Sequence, residues 1–268
     1  MLRDITIGQY YPSDSILHQL DPRVKLMGTL VYVLSLFFFR GVSGFLAVTL
    51  GLAVLIRLSG VPVGYMVKGL KAIAVILILT GMFNLLLTPG EPLISFGAVK
   101  ITEEGIKSAA FMVVRLTYLV LGSSVLTLTT TPNRLTDGLE KALRPLNRIG
   151  VPVHEISMIM SIALRFIPIL VEETDKIMKA QLARGADFES GNLIKRAKSM
   201  VPLLVPLFVS AFRRANDLAL AMEARCYNGG MGRTKMKPLK YERRDGAAYL
   251  LLALYFAGII ALRIWLKF

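Results

Sequence analysis

The fold is decided by the run LKAIAVILILTGMFNLLL at residues 70–87, eighteen residues among which only Lys71 is charged. A helix needs about 20 such residues to cross the hydrocarbon core of a bilayer. The whole chain has 268 residues, is 54% hydrophobic and has a mean hydropathy of +0.58, which is more apolar than an ordinary soluble domain. The sequence therefore predicts an all-α integral membrane protein that crosses the bilayer several times.

Four further apolar runs accompany this one along the chain. Runs 26–39 and 42–56 precede it, and runs 106–130 and 247–262 follow it. Together the five runs predict about five transmembrane helices. Because the first two runs fall short of the roughly 20 residues that a crossing needs, they form either a tight transmembrane hairpin or a re-entrant pair.

The charges beside these runs predict the orientation of the chain. Arg57, Lys68 and Lys71 lie in or next to the connection after the second run, with no nearby acidic residue. Since positive charge collects in cytoplasmic loops, this connection and the N-terminus are predicted on the cytoplasmic side of the cell membrane. Connection 88–105 carries three glutamates and one lysine, which fits the outside. Arg115, inside the fourth run, either contacts protein or water or reaches the outer headgroups.

A basic region separates the first four runs from the last. We divide the chain into a membrane region at 1–131, a cytoplasmic-side coupling-helix region at 132–245 and a final transmembrane helix at 246–268. Residues 131–245 contain 20 Lys and Arg against 12 Asp and Glu, a net +8 of the chain's +14. In a membrane protein this balance is typical of segments that face the cytoplasm and its anionic lipid headgroups. We therefore set nucleic acid aside as a partner.

Two long amphipathic helices are predicted within the basic region. The first spans 153–184, is kinked at Pro168, and passes from an apolar half to a charged half, so it is expected to run out of lipid into water. The second spans 193–225. Its apolar stretch 200–209 is too short to cross a bilayer and suits a helix at the interface.

Each long helix is predicted to end in an arginine between two small residues. An arginine in the last turn complements the helix dipole and a following glycine supplies a left-handed cap, so helix termination alone explains either stretch. Small neighbours also leave the guanidinium unshielded, and its planar fork suits bidentate bonds to carboxylates. Two such ends together would fit two equivalent pockets, such as a dimeric ATPase offers. The stretches, 41 residues apart, are Ala183-Arg184-Gly185 and Ala224-Arg225-Cys226.

Four motifs carry a resemblance to a known family. They are LHQLDPRVKL at 17–26, ALRFIP at 163–168, QLARG at 181–185 and AMEARCY at 221–227. On these motifs the chain resembles the T component of energy-coupling factor (ECF) transporters, the EcfT/CbiQ family, which is the scaffold subunit of a class of vitamin and metal-ion importers. Four motifs in the expected order and topology make the resemblance fairly specific.

The resemblance implies a non-catalytic coupling subunit of an ABC importer. Its partners would be two ABC-type ATPase subunits, which bind the ATP and Mg²⁺, and a substrate-binding S component in the membrane; the chain itself would hold no cofactor and no metal. ATP-driven motion of the ATPases would pass through the two helices to the S component for uptake of vitamins or other micronutrients. A dedicated cobalt or nickel importer uses the same scaffold and stays an alternative. The residues implied to dock into the two ATPase grooves are Arg184 and Arg225, with Ala183, Gly185, Ala224 and Cys226 as close-packing neighbours.

Three features bear on the remaining alternatives. Cys226 stands where the family more usually has glycine, which leaves open whether a glycine backbone conformation is needed there. An enzyme would use Cys226 or His154, but neither has an assigned acid, and one cysteine with two histidines gives no disulfide and no metal set. A self-sufficient transporter or channel would need intramembrane polar sites, and the runs offer mainly Asn84 and Arg115.

Overall fold

The computed structural model describes residues 10–38, 42–90, 92–96, 99–188, 190, 192–229, 236 and 238–265. Within these residues the chain is almost entirely helical, which confirms the all-α prediction; the exception is one two-stranded antiparallel hairpin. The elements in chain order are α1 (Ile16–Gln19), α2 (Pro22–Phe37), α3 (Val42–Ser59), α4 (Val63–Leu87), β1 (Pro92–Phe96), β2 (Val99–Thr102), α5 (Glu103–Thr129), α6 (Pro132–Leu143), a 3₁₀ helix (Arg144–Ile149), α7 (Val153–Ala183), α8 (Leu193–Ser199), α9 (Val201–Ala224) and α10 (Arg243–Trp265).

The chain divides into two compact units. One, which we call the membrane unit, comprises Gly8–Ala142 together with Leu239–Phe268 and contains α1 to α6 and α10. The other, which we call the arm unit, contains the 3₁₀ helix and α7 to α9.

Four helices among the described residues are long and apolar enough to cross a bilayer. They are α4, α5, α7 and α10, with 25, 27, 31 and 23 residues. Helices α2 and α3 are shorter, with 16 and 18 residues. Helix α7 is long and apolar enough for a crossing by length and composition, although its second half is rich in acidic and basic residues. That α7 runs out of lipid into water stays a prediction.

The structure differs from the predicted elements at two places. The helix predicted over 193–225 is divided at Met200 into α8 and α9, because Pro202 lies in the first turn of α9 and favours a new helix start. Helix α7 continues through Pro168, as predicted. The hairpin of β1 and β2, within the connection predicted to face outward, has no counterpart in the sequence prediction.

Close helix contacts form the core of the membrane unit. Helix α5 approaches α2 at Gly122, where any Cβ would overlap the ring of Tyr32. The Tyr32 hydroxyl donates a hydrogen bond of 3.1 Å to the carbonyl oxygen of Tyr118 in α5. A side chain at position 122 would therefore force these two helices apart. The buried apolar residues that pack together in this part of the core are Tyr32, Leu36, Val48, Leu52 and Ile259.

The motif at 17–26 joins the starts of α2 and α10. Asp21 is the N-cap of α2, with Pro22 at its first position. Its carboxylate accepts bonds of 2.9 to 3.0 Å from the backbone N–H, Nε and a terminal nitrogen of Arg23. The Asp21 backbone N–H donates to Asp245 Oδ1 at 2.8 Å, and the Arg23 guanidinium lies 3.6 Å from the ring centre of Tyr241. Burial raises the pKa of Asp21, but the bonds from Arg23 outweigh it and hold that pKa below its ordinary value.

Candidate functional site

All six predicted coupling residues lie at the exposed ends of α7 and α9. Helix α7 ends at Ala183 and helix α9 ends at Ala224, so each arginine is the C-cap residue of its helix. All six are exposed in the chain. They form two separate ends of three residues each: Ala183, Arg184 and Gly185, and Ala224, Arg225 and Cys226.

The end of α7 is a Schellman motif. The Gly185 N–H donates to the Leu182 carbonyl at 3.0 Å, and the Ala186 N–H donates to the Gln181 carbonyl at 3.0 Å. This pair of bonds needs a left-handed residue after the cap. Gly185 supplies it with φ of +85°.

The end of α9 repeats the motif bond for bond. The Cys226 N–H donates to the Glu223 carbonyl at 2.8 Å, and the Tyr227 N–H donates to the Met222 carbonyl at 3.0 Å. Cys226 takes the left-handed position with φ of +54°, and within the described part of the chain no other non-glycine residue has a positive φ. The structure thus answers what the sequence left open: a glycine-type conformation is needed at 226, and cysteine adopts it.

The two arginines occupy equivalent positions in these motifs. Arg184 has φ and ψ of −89° and 7°, and Arg225 has −94° and 14°. Each follows an alanine and precedes the left-handed residue that turns the chain away from the helix axis. The same backbone frame therefore presents a guanidinium twice.

Helices α7 and α9 pack in an antiparallel arrangement within the arm unit. Arg214 of α9 donates to Glu173 of α7 at 2.9 Å, and Gln181 near the end of α7 reaches the Pro202 carbonyl at the start of α9 at 3.5 Å. From Glu173 to Gln181 the residue number rises along α7, whereas the number of the contacted residue in α9 falls from 214 to 202, so the two helices run in opposite directions. The two arginine ends consequently lie at opposite ends of the pair.

The ion pair lies midway between the two ends. Arg184 follows Glu173 by 11 residues, and Arg225 follows Arg214 by 11 residues. We call the segments 173–184 and 214–225 the two arms. At 1.5 Å of rise per residue each arm is about 16 Å long, which places the two arginine ends roughly 33 Å apart. The sequence analysis missed this pair, although its 41-residue spacing equals that of the two arginines.

An apolar stripe runs along the exposed face of α9. Its residues recur at steps of three and four, the spacing of one helix face, and they line a shallow groove. The stripe extends beyond the apolar stretch 200–209 that the sequence indicated, as far as Phe212. Its exposed large side chains are Val201, Leu204, Val205, Phe208, Val209 and Phe212.

The residues considered for an enzyme lie on different elements. Cys226 is a free, exposed thiol in the cap of α9, and its place in the left-handed position gives it a structural task. His154 lies in the first turn of α7.

Fold and site together define a multi-pass helical membrane protein with two equivalent, exposed, arginine-capped helix ends. The family model CbiQ, described as cobalt transport protein, matches residues 13–237. The chain belongs to this family of membrane transport proteins, which includes the transmembrane proteins of energy-coupling factor transporters.

Its relatives match over almost their whole length. A protein of Clostridium kluyveri named "Energy-coupling factor transporter transmembrane protein EcfT" is 52% identical over 267 residues, which is 99% of both chains. Proteins with the same name from Thermosediminibacter oceani and Bacillus subtilis are 51% and 46% identical, over 98% of this chain and 100% of each relative.

Proposed function

We propose that the chain is the coupling subunit of an ATP-driven importer, linking two ATPase subunits in the cytoplasm to a substrate-binding subunit in the membrane. The ATPases bind ATP and Mg²⁺ and hydrolyse the ATP, and the chain transmits their motion without catalysing a reaction. The observation that supports this most is the repetition of one cap, with one arginine at the same position, at both ends of an antiparallel helix pair.

Two equivalent ends suit two equivalent grooves, which a dimer of ATPase subunits offers. The small neighbours Ala183 and Gly185, and likewise Ala224 and Cys226, let a partner's backbone approach the guanidinium closely. Once docked, each arginine is removed from water and needs a carboxylate or carbonyl partner. Removing one member of such a buried charge pair costs about 3–5 kcal/mol.

The ion pair between Glu173 and Arg214 is placed to act as a pivot. Each arm extends about 16 Å from it, so a change of about 10° in the crossing angle moves an arginine by roughly 3 Å. Motion of the ATPase grooves is thereby converted into rotation of α7 against α9. The apolar stripe on α9 follows that rotation, and we propose that it contacts the substrate-binding subunit.

In the proposed complex, the substrate-binding subunit determines which substrate is transported. The relatives from three organisms carry the energy-coupling factor name, which favours a shared scaffold for micronutrient uptake, and the description of the family model favours cobalt as the second candidate. Uptake of a labelled vitamin and of radioactive Co²⁺ by cells with and without the chain separates the two.

The test of the coupling role is co-purification of the complex from membranes that contain all subunits. Arg184→Ala and Arg225→Ala are each expected to reduce retained ATPase at least tenfold, and the double variant to abolish ATP-driven uptake, while membrane insertion stays unchanged. Lys179→Ala is the matched control, because it removes an exposed positive charge from α7 five residues before the cap. A double variant with normal ATPase retention and uptake would refute the proposal, as would substrate transport by the chain alone in vesicles.

A further inference from the structure

The membrane unit contains a cavity that the coupling role does not use. Its volume is about 560 Å³, and it lies among α1, α2, α3, α5 and α10. Glycines from three different helices line it: Gly28 of α2, Gly51 of α3 and Gly122 of α5. Its volume falls within the range of about 300–1,000 Å³ that is usual for sites that hold small ligands.

One end of the cavity is cationic. Lys25 and Arg244 line it there, in the first turns of α2 and α10, which the bond between Asp21 and Asp245 holds side by side. Lys25 Nζ donates to the Thr129 carbonyl at 2.9 Å, at the C-terminus of α5. Arg244 is exposed, and its guanidinium donates a hydrogen bond to the side-chain oxygen of Gln19.

The buried lysine is electrostatically unfavourable as it stands. The acceptors of its Nζ among the described residues are neutral oxygens, the carbonyls of His18 and Thr129 and the hydroxyl of Thr130, rather than carboxylates. An anion at this end of the cavity would stabilise the protonated lysine.

The remaining walls are apolar and extend about one leaflet deep. Tyr32 lies seven residues beyond Lys25 along α2, and Tyr255 lies eleven residues beyond Arg244 along α10. These separations correspond to about 10 and 16 Å of helix. A single leaflet of hydrocarbon is about 15 Å thick, half of the roughly 30 Å core.

The cavity also opens sideways through exposed apolar side chains. Ile16 is 60% exposed, Val54 49% and Leu251 66%, and all three line the cavity. Val54 on α3 and Leu251 on α10 are placed to face lipid, so an acyl chain can enter from the bilayer without crossing a polar barrier.

We propose that this cavity is a binding site for an anionic phospholipid of the cytoplasmic leaflet, with one acyl chain between α2, α3, α5 and α10 and the phosphate beside Arg244 and Lys25. Basic pockets between transmembrane helices on the cytoplasmic side are a common mode of recognition for acidic lipid headgroups. The inference is independent of the proposed coupling role, because none of its residues belongs to the arm unit.

The experiment is native mass spectrometry of the purified full-length chain, titrated with dioleoyl-phosphatidylglycerol or dioleoyl-phosphatidylcholine. The wild type is expected to retain one phosphatidylglycerol and to bind phosphatidylcholine more weakly. Arg244→Gln should weaken phosphatidylglycerol binding about fivefold, the effect of one positive charge near the membrane surface. Arg243→Gln is the matched control, because Arg243 is a neighbouring exposed arginine that does not line the cavity.

A second variant tests the acyl-chain part of the site. Ala248→Phe fills the cavity from α10 and should abolish retention of the lipid. Equal binding of both lipids, or unchanged phosphatidylglycerol binding in both Arg244→Gln and Ala248→Phe, would overturn the proposal. So would an Ala248→Phe variant that keeps the lipid but loses a membrane partner on co-purification, since the cavity would then hold a partner's helix.

Discussion

Replacing Cys226 with glycine should strengthen the end of α9. Cysteine at a φ of +54° occupies the left-handed region, which costs an L-residue about 1–2 kcal/mol. Glycine avoids that strain but loses about 0.5–1 kcal/mol more through its greater freedom in the unfolded chain. The difference predicts that Cys226→Gly stabilises the cap by about 0.5–1 kcal/mol.

The reverse change at the other end should weaken α7 by a similar amount. Gly185 has a φ of +85°, and no atom lies within 4 Å of the position that a Cβ would take. Gly185→Ala therefore introduces backbone strain without a steric clash. We expect it to destabilise this cap by about 0.5–1 kcal/mol.

Hydrogen exchange measures both effects where they arise. The reporting amides are those of residues 226 and 227 in α9 and of residues 185 and 186 in α7, since they donate the Schellman bonds. A change of 0.5–1 kcal/mol corresponds to roughly two- to fivefold in exchange rate, slower in Cys226→Gly and faster in Gly185→Ala. Cys226→Ser is the matched control, because it removes the thiol and keeps the strain. If serine protects these amides as well as glycine does, or if glycine gives no added protection, the backbone argument is wrong.

Two further substitutions test the packing of each unit. Reversing the charge of Glu173 or of Arg214 alone should lower the melting temperature, and reversing both should recover at least half of that loss. Since the side chains of Glu173 and Arg214 are 28% and 38% exposed, the coupling free energy between them should be about 0.3–1 kcal/mol. Gly122→Ala should lower the free energy of unfolding by about 1–3 kcal/mol through overpacking against Tyr32, whereas Gly258→Ala, with open space around the added Cβ, should be close to neutral in the same thermal-shift assay.

Hydropathy located α4 and α10 well but placed their starts too late. The run 70–87 became α4, which starts seven residues earlier at Val63 and ends at the predicted residue. The final run became α10, which starts at Arg243 rather than at 247. The first turn of α10 is charged, and in α4 Lys68 and Gly69 interrupt the apolar residues that follow its first turn, so an apolar window misses both starts although the backbone is already helical.

The equivalence of the two arginine ends was only partly visible in the sequence. The repeated Ala-Arg-small pattern indicated two similar helix ends, and Gly185 indicated a left-handed cap at one of them. Cysteine has no preference for the left-handed region, so nothing at position 226 predicted that conformation. It is the bond from Tyr227 to Met222 that holds Cys226 there, and this bond depends on the three-dimensional path of the chain.

The packing of α7 against α9 could not be predicted, because it depends on contacts between residues 41 positions apart. Glu173 and Arg214 are ordinary charged residues of amphipathic helices, and each has several closer partners along the sequence. Only the structure shows that they meet and that they do so midway between the two arginines.

The position of the prolines supports the interpretation of the two arms as stiff levers. Pro168 precedes Glu173 in α7, and Pro206 precedes Arg214 in α9, so both prolines lie on the side of the ion pair away from the arginine. The segments 173–184 and 214–225 contain neither proline nor glycine and are rich in strong helix formers. Proline removes a backbone hydrogen bond, so we expect bending in the halves on the other side of the ion pair. In the proposed coupling role, the proline-free segments would carry a displacement from either arginine to the ion pair, and the proline-containing halves would be the parts that adapt to a membrane partner.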